Sequence, residues 1–219
     1  MVKNLMRLEG RLIRVSAAGG LELEGFADTY PSGYGLHEFG REEESIRLRG
    51  FQLFEEDILR IEELGVRRYY KHFDKLTPDE LYAIMKARVD VFVVEQRCPY
   101  AELDGLDQDA IHVWLEDENG LAAYLRVLRP GVENENMALG RILTLRRGRG
   151  LGRLIVQAGI DVAEGFYDSE YVYLEAQTCA RGFYEKLGFH QASEEFVLDG
   201  IPHIRMLRAT ADDDFLAED

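Results

Sequence analysis

A strand that runs into a glycine-rich turn and then directly into a helix constrains this chain more than any other feature. The segment is 139–152, LGRILTLRRGRGLG. Residues 138–145 have strand character, and Leu151, Leu154, Ile155, Ala158 and Val162 then recur at helical spacing. The first N–H groups of a helix have no intrahelical partner. Glycine lacks the Cβ that would hold an anion away from them, and the helix dipole adds positive potential. Together these make a cradle for a diphosphate. Between residues 136 and 160 there is no Asp or Glu, yet there are five arginines: Arg141, Arg146, Arg147, Arg149 and Arg153. In a chain of net charge −15, such a clearing points to an anion site rather than a chance cluster on a solvated face.

The acidity of the whole chain by itself reads first as a device for solubility, and it also disfavours some partners. It repels nucleic-acid phosphates and anionic lipid headgroups and suits a cationic amine. No apolar run approaches the roughly 18 residues of a membrane helix. The first ten residues carry Lys3, Arg7 and Glu9 and do not read as a signal peptide. Two cysteines, Cys98 and Cys179, cannot build a disulfide framework. Reduced thiols and a cytoplasmic location are the expectation.

Three regions are expected. Residues 1–66 read as a small all-β module, similar in pattern to an SH3-like or Sm-like barrel. Its strand-like segments are 9–15, 21–27, 45–49 and 51–54, with a Gly19-Gly20 turn and a long loop over 29–40. Residues 57–64 suit either a last strand or a short helix. This module lacks the basic face an RNA-binding barrel needs, so a docking or subunit-contact role is expected. Residues 67–210 form a mixed α/β domain. Thr77-Pro78-Asp79-Glu80 starts a helix, and its apolar pattern loosens after Arg88. A loop spans 97–110. Strands follow at 111–116 and 121–128 around Asn119-Gly120, then at 138–145 and 170–176 flanking the second helix as a parallel βαβ unit. A short helix at 178–187 and a hairpin around Asp199-Gly200 close the domain. Residues 211–219 read as an acidic disordered tail.

A glycine-rich turn alone is a weak signal. The Walker pattern is absent because no lysine follows these glycines, and the dinucleotide pattern G-x-G-x-x-G is absent too. Arg147-Gly148-Arg149-Gly150-Leu151-Gly152 is similar instead to the R-G-x-G-x-G loop of the GNAT acetyltransferases. In order along the chain, VFVVEQRCPY (91–100), Asp104-Gly105, Leu139-Gly140-Arg141, Ala176-Gln177, Phe183-Tyr184 with Gly188-Phe189, and Gly200-Ile201-Pro202-His203-Ile204 resemble the ElaA-type branch of that family. The likeness covers about residues 69–208. It implies a GNAT acyl-CoA N-acyltransferase fold, with a mixed sheet splayed between 138–145 and 170–176. It implies acetyl-CoA as cosubstrate and no metal. The diphosphate would sit on Arg147, Gly148, Arg149, Gly150, Leu151, Gly152 and Arg153, and the pantetheine arm on the backbone near Ile142, Leu143 and Thr144. Two departures stand out. The link from Arg141 to Arg147 is two residues shorter than the usual form and lacks its proline, and Gly182 replaces a common Asn or Ala.

The resemblance makes Tyr184 the candidate acid that protonates the departing thiolate; a core aromatic is the competing reading. Glu95, His112 and His203 are candidate bases for the incoming amine; taken singly, each has a structural reading that ranks ahead, His112 as a satisfied strand histidine and Glu95 as a helix-end cap. Tyr100, Asp104, Arg141 and Gln177 border the expected acceptor pocket. Cys179 as an acyl-carrying nucleophile ranks below direct transfer, since no histidine neighbours it in sequence. The five histidines show no metal-ligand spacing. The expected acceptor is a small-molecule amine or a lysine side chain, and a homodimer is left open. A non-catalytic acyl-CoA sensor is the alternative, as is a docking protein acting through residues 1–66.

Overall fold

The computed structural model describes residues 4–97 and 100–210. The expectations for Cys98 and for the 211–219 tail lie outside the described residues. Two compact units divide the chain: residues up to Tyr69 with Leu115–Gly120, and Tyr70–Trp114 with the residues from Leu121. The division falls inside a strand, a few residues after position 66.

The first unit is all β. Its elements are β1 (Arg11–Ala17), β2 (Leu21–Phe26), β3 (Asp28–Tyr30), a one-turn α1 (Leu36–Phe39), β4 (Ser45–Leu48), β5 (Phe51–Phe54) and β6 (Ile58–His72). β1 pairs antiparallel with both β2 and β6, so that Val15 lies beside Leu23 and Ile61. β3, β4 and β5 form a separate antiparallel sheet. Ile13, Val15 and Ala27 share one core with Ile46, Leu48 and Leu53. Gly10 is required where β1 begins. Its φ is +70°, and a Cβ there would lie 2.4 Å from the Arg68 carbonyl oxygen. That close approach allows Arg68 N–H to donate to Gly10 O at 2.7 Å.

Two details depart from expectation. The stretch read as one loop over 29–40 holds β3 and α1, which Gly40 ends at φ 68°. Of the residues read as strand or helix over 57–64, Asp57 closes a 3-10 turn and the rest are strand, which continues to His72. A 3-10 turn at Leu5–Leu8 also buries both leucines; four residues are too few to show a period.

The second unit opens with α2 (Pro78–Arg88). Glu80 N–H donates to Thr77 Oγ1 at 3.2 Å and Thr77 N–H donates back to Glu80 Oε2 at 2.8 Å, a reciprocal cap. The helix then widens to π geometry over Val89–Glu95, where Gln96 N–H reaches Val91 O at 3.0 Å. This widening is the loosened pattern seen after Arg88. There follow β7 (Ala110–Asp117), β8 (Gly120–Leu128), β9 (Met137–Thr144), α3 (Leu151–Phe166), β10 (Tyr171–Gln177), α4 (Arg181–Glu185), β11 (His190–Gln191), β12 (Phe196–Leu198) and β13 (Ile201–Ala209). Across the sheet the order is β13-β10-β9-β8-β7. β9 and β10 are parallel and the β8–β9 and β10–β13 pairs antiparallel. The fold is mixed α/β with a splayed sheet.

α3 lies on that sheet through Leu151, Ile155, Val156, Ile160 and Val162, all buried. Burying each such side chain stabilises by roughly 1.5–3 kcal/mol. Gly159 faces Leu125 so closely that a Cβ would lie 2.5 Å from its methyl group. The helix therefore packs tightly beneath β8 and β9, which fixes where its N-terminus emerges.

Candidate active site

Two irregularities in β9 create a cleft. Tyr124 pairs with Leu143 and Arg126 with Gly140, so one residue of β8 faces two of β9. This is a bulge, and Arg141 takes it up at φ 55°. On the other side, β9 pairs with β10 only at Met137–Val172 and Ala138–Tyr173. Beyond that point the parallel strands part. A cleft of about 310 Å³ lies there, lined by Leu139, Gly140, Arg141 and Ile142 from β9 and by Glu175 and Gln177 from β10.

At the end of β9 the turn enters α3. Gly148 and Gly150 adopt φ +77° and +75°, with nothing within 4 Å of a Cβ at either. Gly150 caps the helix without any side-chain cap. Its carbonyl accepts from Arg153 N–H at 3.1 Å and Leu154 N–H at 3.3 Å. Among the described residues, the N–H groups of Gly150, Leu151 and Gly152 have no protein acceptor. Open approach, unpaired donors and adjacent arginines fit an anion of diphosphate type. Arg147 pairs with Glu95 at the far end of the widened helix, and both are largely exposed.

The cleft gathers Tyr100, Arg141, Ile142, Gln177, Tyr184 and His203. Gln177 Nε2 donates to Gln96 Oε1 at 3.3 Å. His203 Nδ1 lies 2.8 Å from the Ile201 carbonyl oxygen. A carbonyl only accepts, so Nδ1 carries a proton, and Nε2 is the nitrogen left for a ligand. Tyr184 is partly buried, packs edge-on against Phe183 and Phe189, and makes no hydrogen bond among the described residues. Burial pushes its phenol up to about 12.

Other residues singled out from sequence lie elsewhere. His112 is fully buried, and its nitrogens lie 2.8 Å from Tyr124 Oη and 3.0 Å from Asp107 O. Burial pushes its imidazole below the ordinary value. His112 does not reach the cleft and has no open nitrogen with which to act as a base there. Glu95 is the partner of Arg147 and does not line the cleft. Asp104 does not present an open charge, because Arg126 and Arg141 hold it at 2.5 and 2.9 Å. Burial alone would raise its pKa, but the hydrogen bonds to Arg126 and the Leu106 amide bring it down to about 2. Leu143 turns its side chain into the core. Cys179 is exposed. Among the described residues no three His, Cys, Asp or Glu side chains are arranged to hold a metal, and no helix is long and apolar enough to cross a membrane.

Asp104 belongs to a network that sequence reading missed. Arg88 binds Glu102 at 2.5 Å and Asp107 at 2.6 Å. Arg126 binds Asp104 at 2.5 Å and Asp107 at 3.1 Å. Arg141 binds Glu102 and Asp104, both at 2.9 Å. Each of three arginines meets two of three carboxylates, and the charges cancel. Arg88 and Arg126 are fully buried. The network ties the loop before β7 to α2, β8 and the bulge, and so holds one wall of the cleft. The signal available was Arg88 and Arg126 on the inward faces of their elements, with acids clustered at 102–107.

A sheet that opens between parallel strands, with a bulge on one and a bare helix N-terminus at its end, defines an acyl-CoA-dependent N-acyltransferase. The sequence comparisons agree: residues 76–209 match the family model described as an acetyltransferase (GNAT) domain. The chain belongs to the GNAT acetyltransferase family and is an N-acetyltransferase. It is similar to protein ElaA of Escherichia coli K12, with 36% identity over 143 residues, 63% of this chain and 92% of that protein. The ElaA crystal structure superposes with a TM-score of 0.61 at 33% identity, covering 65% of this chain and 99% of ElaA. An acyl-CoA N-acyltransferase from Pseudomonas aeruginosa gives a TM-score of 0.62 at 40% identity, over 66% of this chain and 99% of that one. Acyl-CoA is the cosubstrate of this fold family, and its members act on small-molecule or protein amines.

Proposed function

We propose that the chain transfers the acetyl group of acetyl-CoA to a primary amine by direct attack within a ternary complex. The observation that carries this is the set of unpaired N–H groups at Gly150, Leu151 and Gly152, at the end of the strand whose outer edge opens on the cleft. Residues 147–153 bind the diphosphate. The free edge of β9 from Ile142 to Thr144 offers backbone groups to the pantetheine arm, and the thioester then lies in the splay.

Chemistry follows from the groups in the cleft. The neutral amine attacks the thioester carbonyl, and backbone donors at the bulge stabilise the developing oxyanion. As the C–S bond breaks, Tyr184 gives its proton to sulfur and recovers one from the adduct nitrogen, which became cationic when the C–N bond formed. A phenol at about 12 is a weaker acid than a thiol at about 8.5. Transfer is therefore coupled to bond cleavage rather than preceding it. The same high pKa keeps Tyr184 in its donor form throughout the neutral range. Tyr184→Phe is expected to lose most turnover while acetyl-CoA binding, followed by calorimetry, is unchanged; equal loss of both removes Tyr184 from this role.

Acceptor identity is open to a screen of polyamines, amino acids, aminoglycosides and lysine peptides, read as free thiol release. The acidic surface favours cations among them. We infer for residues 1–66 a separate docking role, tested by whether the isolated module captures a partner while the truncated chain keeps its activity.

A further inference from the structure

Glu133 was not among the residues singled out from sequence, yet it lines the same cleft as Tyr184 and His203. It lies in the β8–β9 turn. Its neighbour Val132 packs against Leu128, Ala138 and Tyr173, and Gly131 N–H donates to Asn134 O at 2.7 Å. Both contacts fix the direction of the turn.

Charge bookkeeping around the cleft separates Glu133 from its neighbours. Asp104 is neutralised by Arg126 and Arg141. Glu175 accepts a hydrogen bond from Tyr173 Oη at 2.7 Å and faces Arg205 at 3.6 Å. Glu133 makes neither a hydrogen bond nor an ion pair among the described residues. An amine enters as an ammonium ion, which an unpaired carboxylate attracts. We propose that Glu133 receives the cationic acceptor and takes the proton that frees its lone pair. This rests on the acyl-transfer reading above.

The proton balance closes. The ammonium gives one proton to the Glu133 carboxylate, which passes it to solvent through the cleft mouth. The amine attacks, the C–S bond breaks, and sulfur takes the Tyr184 proton. The adduct nitrogen then returns a proton to the phenolate. Glu133 is itself exposed, and partial loss of solvent beside the cleft raises its pKa. The nearby charges act in both directions: Arg126 and Arg141 lower it, while Glu175 and Asp104 raise it. The open mouth moderates the rise. A base raised toward neutrality accepts a proton more readily.

The test uses the full chain carrying glutamate labelled with carbon-13 at the carboxyl, the Glu133 signal being assigned by its loss in Glu133→Gln. Glu133 is expected to titrate above the ordinary glutamate value of about 4.3. n-Butylammonium at constant ionic strength is expected to lower that midpoint, and to move Glu175 less. A midpoint at or below the ordinary value, or one that n-butylammonium leaves in place, overturns the proposal. Thiol release from acetyl-CoA supplies the second readout. Glu133→Gln is expected to lose about 100-fold with n-butylamine, which is cationic at pH 7. With aniline, already neutral, it should lose less than about threefold for the same reason. Equal losses with both amines also overturn it; where neither amine is acetylated, the titration decides. A chain that does not bind acetyl-CoA defeats the acyl-transfer reading itself, leaving the titration to judge Glu133 separately.

Discussion

Two groups of arginines in the second unit do opposite work with the same side chain. Arg88, Arg126 and Arg141 are each held by two carboxylates within 2.5–3.1 Å. Arg147, at the entrance to α3, is 71% exposed and holds a single partner, Glu95. The first group spends its charge inside the protein and gains rigidity. The second keeps it available to a ligand. What separates them is the local supply of carboxylates: acids crowd residues 102–107, whereas none occurs between 136 and 160. Arg141 belongs to the cleared segment by sequence and to the network by structure, because the bulge turns it back toward the acids.

The hardest blow to this contrast falls on the buried group. Arg88→Met leaves Glu102 with Arg141 alone and Asp107 with Arg126 alone, so a buried charge goes uncompensated and a loss of up to roughly 3–5 kcal/mol in urea unfolding is expected. Arg147→Ala combined with Arg149→Ala should leave the unfolding midpoint nearly unchanged but weaken acetyl-CoA binding at least tenfold, about 1.4 kcal/mol. An unfolding effect as large as that of Arg88→Met erases the distinction.

Acid titration sharpens it. The folded pKa of Asp104 is about 2, below the unfolded value of about 3.9. Its stabilising contribution is present in full above the unfolded value and lost as pH falls through the folded one. Urea midpoints between pH 4 and 2 should fall less steeply for Asp104→Asn than for the unaltered chain. The smallest effect is expected from Glu95→Gln. Releasing Arg147 from an exposed pair should tighten acetyl-CoA binding by no more than a few-fold, and weaker binding would assign Glu95 a direct part in it.

The elements that repeat or cap are the ones that could be read in advance. The β8 and β9 runs, the apolar face of α3, the Thr77–Glu80 cap and the Asn119-Gly120 and Asp199-Gly200 turns each have a local cause. The diphosphate loop was legible because glycines and arginines are interleaved over six residues. The ion network was not, since Arg88, Glu102 and Arg126 lie far apart in the chain and only the fold brings them together. His112 has the environment of a satisfied strand histidine, the competing reading of its sequence context, with Tyr124 and the Asp107 carbonyl beside it. Glu133 escaped notice because nothing in a run of turn residues marks the one that borders a cleft. Tyr184, Gln177 and His203 were reached through family likeness rather than through spacing.

The single widened turn at Val89–Glu95 also has a reach beyond its own seven residues. Each residue of an α-helix advances the chain by about 100° around the axis. One residue taken up by the looser winding therefore rotates everything after it by about that angle. Gln96, the first residue after the widened turn, owes its position in the cleft to that offset, as does its reach to Gln177. A one-residue deletion here would keep the composition of the wall and turn it to face another way, a change of aim that no side-chain substitution could imitate.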